Sequence, residues 1–351
     1  MPVLLDTAQF GSAAASPGWN GLTIGLVNNM PDRALEATER QFVDLLRAAA
    51  TDVAVRFKLF SIPDLPRAER KRRELARRYR DISGLWDTRL DGLIVTGTEP
   101  RAAALADEPY WASFGKLVAW ARHSTVSTIW SCLAAHAAVL HADGIERKAL
   151  AEKQFGVFDC EKAAAHPLLR DMPAQLRVPH SRLNDLPAPA LAASGYRLLT
   201  RGPAIGVDAF VREQQNASLF VFFQGHLEYE ADTLAREFRR DVGRFLRGER
   251  EHFPTPPRNY LSEEATALVD AFRARAAAAR RASLMTDFPM RVIAAGVDNT
   301  WRAAAVAFYA NWLAFLAARV AERRAPPGAN RLRRVSAPSG RRRSADAWSV
   351  G

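Results

Sequence analysis

Cysteine is scarce: Cys132 and Cys160 are the only two in 351 residues, too few for a disulfide framework. No CxxC or HxxxH spacing occurs either, so the sequence offers no metal site and no bound cofactor is expected. Long apolar runs are missing too. The best candidate, Ala303–Ala318, is about 16 residues, short of the roughly 20 a membrane span requires, and Asn311 interrupts it. It reads as a buried helix. The opening MPVLLDTAQFGS lacks the basic and long apolar regions of a secretory signal, so a cytoplasmic protein without membrane attachment is expected.

What is present fits a soluble globular chain, 48% hydrophobic and 25% charged, long enough for one large domain or two modest ones. The net charge of +11 is local. Residues 66–80 and 322–351 each hold eight basic against two acidic residues, +6 apiece, and leave the body near −1. The first run reads as a solvated helix face, with CoA phosphates or an acidic partner as the other reading. The second, rich in Arg, Pro, Gly and Ser, reads as a disordered tail. It lacks the interleaved aromatics of a single-strand platform, so nucleic acid is not an expected partner.

Apolar runs alternate with helical patterns through the first half. LTIGLVNN at 22–29, VAVRFKLFSI at 53–62, the Leu93–Val95 run and STVSTIWSC read as strands. Between and after them come helical segments at 34–50, 66–80 and 111–123, and LAAHAAVLHADG closed by Gly144. That order predicts a parallel sheet with helices on both faces. The second half holds shorter extended runs, RVPHSRLND, YRLLTR, AIGVDAFVR and SLFVFFQGH, then a strong helix in ADTLAREFRRDVGRFLRG. Residues 262–283 read as an added helical hairpin or arm.

Cys132 falls at the turn from TIWS into LAAHAA, where a strand-to-helix elbow lifts a side chain above a sheet edge and the helix N-terminus favours a thiolate. A buried core cysteine is the alternative. His226 and Glu228, in FVFFQGHLEYE, leave an apolar strand at a spacing that points both side chains the same way. A carboxylate orienting an imidazole towards a thiol would complete a nucleophile, a base and an orienting group. Cys160 has no base candidate beside it and reads as packing; His166 and His180 read as loop or core histidines, His180 adjoining Ser181.

At seven segments the chain resembles one known family. IGLVNNMPDRALEATERQF, LDGLIVTGTEP, TIWSCLAAHAAV, EKQFGVF, VPHSR, GHLEYEADTLAREFRRDV and TWRAAAVAFYANWL stand in the order and spacing of the homoserine O-acyltransferases of the O-succinyltransferase type. The resemblance implies a flavodoxin-like, class I glutamine amidotransferase-like α/β fold, its parallel sheet sandwiched by helices, with extra C-terminal helices. It implies a catalytic domain over 21–321 with a helical insertion at 262–290, after an extension at 1–20 and before the tail at 322–351. Cys132 would carry the acyl group as a thioester, with His226 and Glu228 completing the triad. Lys153, Ser181 and Arg240 would contact substrate, and N–H groups of Leu133, Gly97 and Thr98 would stabilise the oxyanion. The implied reaction is ping-pong transfer from succinyl-CoA to L-homoserine in methionine biosynthesis, by a homodimer.

The pattern departs from the family at named positions. The loop that usually reads APLG or APVE after VTG is TEPR here, which puts Arg101 at the position that influences acyl choice and suggests a pairing with a succinyl carboxylate. The family's His-Pro-Glu is His226-Leu227-Glu228, and its glutamine four residues past the cysteine is His136. Acetyl-CoA as donor, or an amidase using the same triad, stay open as alternatives. Against the amidase, the neighbours of Cys132 are Ser131 and Leu133 rather than glycines.

Overall fold

The segments GLIVT, STIWS and LFVFF are buried at every position, as strands covered on both faces must be. They are β4 (Gly92–Thr96), β5 (Ser127–Ser131) and β10 (Leu219–Phe223), the centre of one ten-stranded sheet. The computed structural model describes residues 3–7 and 19–324. The other strands are β1 (Val3–Asp6), β2 (Leu22–Val27), β3 (Val55–Phe60), β6 (Lys148–Lys162), β7 (Gln175–Asp185), β8 (Arg197–Gly202) and β9 (Gly206–Arg212). The spatial order is β1-β3-β2-β4-β5-β10-β9-β8-β6-β7. From β1 to β10 all pairings are parallel; from β10 to β7 all are antiparallel.

Side chains along each central strand alternate between two cores. Ile94, Ile129, Val221 and Phe223 pack under α1 (Leu35–Ala49) and α10 (Arg302–Arg324). Val95, Trp130, Phe220 and Phe222 pack on the opposite side, under α4 (Trp111–Ser124) and α5 (Leu133–Asp143). Between these lie α2 (Glu69–Arg78), α3 (Ser83–Trp86) and α6 (Ala188–Ala193). The apolar run at 303–318 is a core helix: Phe308, Tyr309, Trp312 and Leu316 of α10 are buried, and Trp312 Nε1 donates to Ser127 Oγ at 3.0 Å. A Cβ at Gly92 would stand 2.8 Å from both Trp312 and Leu316, so a bare backbone at the start of β4 lets α10 lie this close.

Three expectations change. Val3–Asp6, read as part of an extension, is a strand paired in parallel with β3. Residues 262–290 do not project as an arm. There α8 (Glu263–Ala278), capped by Ser262 Oγ accepting from Ala265 N–H, shares a third apolar cluster with α7 (Thr233–Leu246), α9 (Met290–Ala295) and Phe155 and Val157 of β6. Lastly, α10 runs to Arg324, so 322–324 are helical; the rest of the expected tail lies outside the described residues. The basic run at 66–80 forms α2, which buries no residue and pairs Lys71 with Glu36 and Glu74, and Arg78 with Glu39.

Trp312→Ala removes a fully buried indole and its hydrogen bond to β5, and should lower unfolding free energy by about 3–5 kcal/mol. Denaturant titration measures it; a loss below about 1 kcal/mol would mean α10 is not part of the core.

Candidate active site

β5 ends at Ser131 and α5 begins at Leu133, so one residue makes the turn between them. That residue, Cys132, has φ +54° and ψ −116°, backbone space that side chains with a Cβ rarely enter. Its N–H donates to the carbonyl of Phe223 at 2.8 Å, fastening the turn to the end of β10. The thiol stands at the sheet's C-terminal edge, over the first turn of α5. The N–H of Leu133, at the first helical position, has no acceptor within the helix. The Thr96–Thr98 loop abuts this point: a Cβ at Gly97 would lie 2.6 Å from the Leu133 Cβ and 2.9 Å from its nitrogen.

Beyond β10 the chain turns, and His226 Nδ1 meets Glu228 Oε1 at 2.8 Å. The contact is made in a turn, not on an extended strand: β10 stops at Phe223, and residues 227–228 reverse the chain to bring the two side chains together. Ser131 Oγ reaches the same Glu228 oxygen at 3.4 Å, and the imidazole stacks on the Tyr229 ring at 4.2 Å. Both members of the pair are buried. Burial alone would drive the imidazole neutral. The charges of Cys132 and Glu228, with the hydrogen bond to Glu228, outweigh it and hold His226 well above its ordinary value.

The pair opens with Cys132 onto a cavity of about 520 Å³, lined by seven Lys and Arg side chains against four carboxylates. Lys153, Ser181 and Arg240 line it as well, the first two from β6 and β7 and the third from α7. Each is already engaged. Arg240 Nε donates to Asp241 Oδ1 at 2.9 Å; Lys153 Nζ lies 3.5 Å from Asp241 Oδ2 and 4.0 Å over the Phe155 ring. Ser181 Oγ donates to Glu237 Oε2 at 2.6 Å, and Tyr229 donates to the other oxygen at 2.5 Å. Burial would raise Asp241, but Arg240, Lys153 and Arg250 overcome it and hold the carboxyl below its usual range.

Arg101 does not join this cavity. Its N–H and that of Ala102 donate to Glu108 Oε1 at 2.5 and 2.8 Å, and it lines an adjoining cavity of about 350 Å³. Glu99 lines the Cys132 cavity in its place, paired with Arg33 and with Arg244 at 2.9 Å. Cys160 is buried on β6, its side chain in the core on the α1 and α10 side, and its thiol is pushed up by burial and by Asp208 and Asp159. His180 is fully buried against Asp208 and accepts from Arg182 Nε at 3.2 Å. Sequence reasoning missed Glu237, Tyr229, Arg147 and Arg182, which all line the cavity. Glu237 had a signal: it precedes Arg240 and Asp241 by three and four positions, on one helix face.

A thiol on a strand-to-helix elbow, beside an imidazole held by a carboxylate on an α/β sheet, is an arrangement suited to a cysteine nucleophile. The family model for homoserine O-succinyltransferase matches residues 11–323. The homoserine O-succinyltransferase of Rhodopseudomonas palustris is 52% identical over 84% of this chain and 88% of that one. That of Methylorubrum extorquens is 48% identical over 91% and 96%. The chain belongs to the homoserine O-succinyltransferase family. Among solved structures it is similar to a glutamine amido transferase from Methylobacillus flagellatus, 16% identical over 84% of this chain and 95% of that one, with a TM-score of 0.46.

Glu228→Gln removes a charge that keeps His226 protonated, so the imidazole should lose its proton at lower pH. The alkaline limb of the kcat/KM profile should move acidward, with a maximal rate roughly 10²–10⁴-fold lower. An unmoved limb would show that Glu228 does not set the charge of His226.

Proposed function

We propose that the protein transfers the succinyl group of succinyl-CoA to the hydroxyl of L-homoserine through a thioester on Cys132, a step of methionine biosynthesis. The observation that carries this is the Cys132–His226–Glu228 arrangement, opening on a cavity with more cations than anions in a chain of this family. A cationic His226 favours the thiolate of Cys132, the nucleophilic form. The thiolate attacks the thioester carbonyl, and the N–H groups of Leu133 and of Gly97 or Thr98 receive the developing oxyanion. When the tetrahedral adduct collapses, CoA leaves with the proton from His226, and Cys132 keeps the acyl group. His226, now neutral, takes the hydroxyl proton of homoserine as that oxygen attacks the enzyme thioester. Expulsion of the thiolate restores the starting pair, and O-succinylhomoserine departs.

In this scheme Glu228 keeps the imidazole turned towards Cys132. Arg240 offers the planar fork that suits the homoserine carboxylate, a geometry lysine lacks. Lys153 and Ser181 flank it, with Glu237 and Asp241 near the amino acid's ammonium group. A cytoplasmic homodimer, with one catalytic domain over residues 21–321, belongs to the same proposal.

Release of free CoA thiol from succinyl-CoA and from acetyl-CoA, with and without L-homoserine, tests the reaction. Homoserine-dependent release that favours succinyl-CoA, yields O-succinylhomoserine by mass and vanishes in Cys132→Ala is the expected result. No release from either donor by folded protein would sink the proposal.

A further inference from the structure

A succinyl group carries a second carboxylate two methylenes beyond its thioester carbon, and an acetyl group carries none. The cation best placed to receive that carboxylate is one that no acid of the cavity already holds. Six of its seven cations are engaged. Arg33 and Arg244 hold Glu99, while Lys153, Arg240 and Arg250 surround Asp241. Arg182 is buried and bound to Asp185 and to the carbonyls of Asn184 and Ile205. Arg147 is the seventh. Among the described residues its guanidinium has no hydrogen bond and no ion pair, although it lines the cavity with Cys132.

The neighbours of Arg147 leave it free. Glu108, the acid whose field reaches it, is turned to the backbone, accepting from the N–H groups of Arg101 and Ala102. Tyr110, close enough for its charge to count, has a buried hydroxyl that finds no hydrogen-bond partner among the described residues. His136, one helical turn beyond Cys132, is fully buried and held down to about 3 by burial and by the charges of Arg182 and Arg147, so it stays neutral. Burial also opposes the charge on Arg147, yet a guanidinium does not deprotonate in proteins. Glu108 and Cys132 favour its charge only through space, so this half-buried permanent cation has no acid bonded to it, and a carboxylate arriving with the substrate can take that place. The fold fixes its place: Gly144, in the left-handed conformation at φ +66°, ends α5, Ile145 is buried, and the short link into β6 holds Arg147 at the cavity wall.

We propose that Arg147 receives the distal carboxylate of the succinyl group and is the residue that selects succinyl over acetyl donors. This takes the role that the loop position of Arg101 had suggested, and it rests on the acyl transfer proposed above. The test is the ratio of kcat/KM for succinyl-CoA to that for acetyl-CoA, in the wild type, Arg147→Met and Arg147→Lys. The ratio does not depend on the fraction of protein that is active, so partial misfolding cannot imitate the effect. Arg147→Met should lower the ratio about 10- to 100-fold, the range for losing a charge-assisted hydrogen-bonded partner. Arg147→Lys, which keeps the charge without the fork, should fall between. A ratio unchanged in both variants overturns the assignment while leaving acyl transfer standing. A wild type that transfers from neither donor overturns the acyl transfer and this assignment with it.

Discussion

The parallel register of β5 against β10 governs the site. Ser131 stands opposite Phe223, and both strands end there. From the first end the chain turns through Cys132 into α5; from the second it passes through Gln224 and Gly225 to His226. The hydrogen bond from the Cys132 N–H to the Phe223 carbonyl ties the two exits together. A shift of register would separate thiol from imidazole and turn Trp130 and Phe222 out of their core. The positive φ at Cys132 costs on the order of 1–3 kcal/mol, and it persists because the surroundings over-determine it. The whole of β5 is buried before it, and the buried Ala134, Ala135 and Ala137 of α5 are packed after it.

The antiparallel half of the sheet has a different task. In the β6–β7 pairing Phe155 faces Ser181 and Gln154 faces Arg182, so Lys153 and Ser181 arrive at the cavity from adjacent strands. Across from them α7 buries Leu234, Phe238 and Val242 in the third core and turns Glu237, Arg240, Asp241 and Arg244 towards the cavity. The helices α8 and α9 back that same core, which makes the segment at 262–290 a support for the α7 wall of the cavity.

Much of this was legible in the residues. Strands buried on both faces are continuous apolar runs, so β2, β4, β5 and β10 announce themselves, as does the core helix around Trp312. The long strand β6 does not, because most of its first seven residues are exposed or half-exposed and polar ones sit among them. The four residues of β1 are too short to carry a period. At the site, Cys132 and the His226–Glu228 pair were legible as residue types, but the geometry joining the pair was not: a turn, rather than strand alternation, brings them together. Loop arginines are least legible of all. Nothing in TEPR or IERK says that Glu108 draws the backbone at Arg101 aside, or that the cation at 147 is left without an acid.

Charge balance ties these parts together. The wall formed by Lys153, Glu237, Arg240 and Asp241 carries both signs and is internally paired. A zwitterion such as homoserine can enter it by exchanging partners, its carboxylate and ammonium each replacing one member of an existing pair. No charge is then left both buried and unmatched. A succinyl group brings one sign only at its far end, and an exchange would take a cation from the sets gathered around Glu99 and Asp241, whereas Arg147 has no bonded acid to give up among the described residues. A half-buried cation of this kind carries a desolvation cost, which the succinyl carboxylate offsets under the proposed assignment.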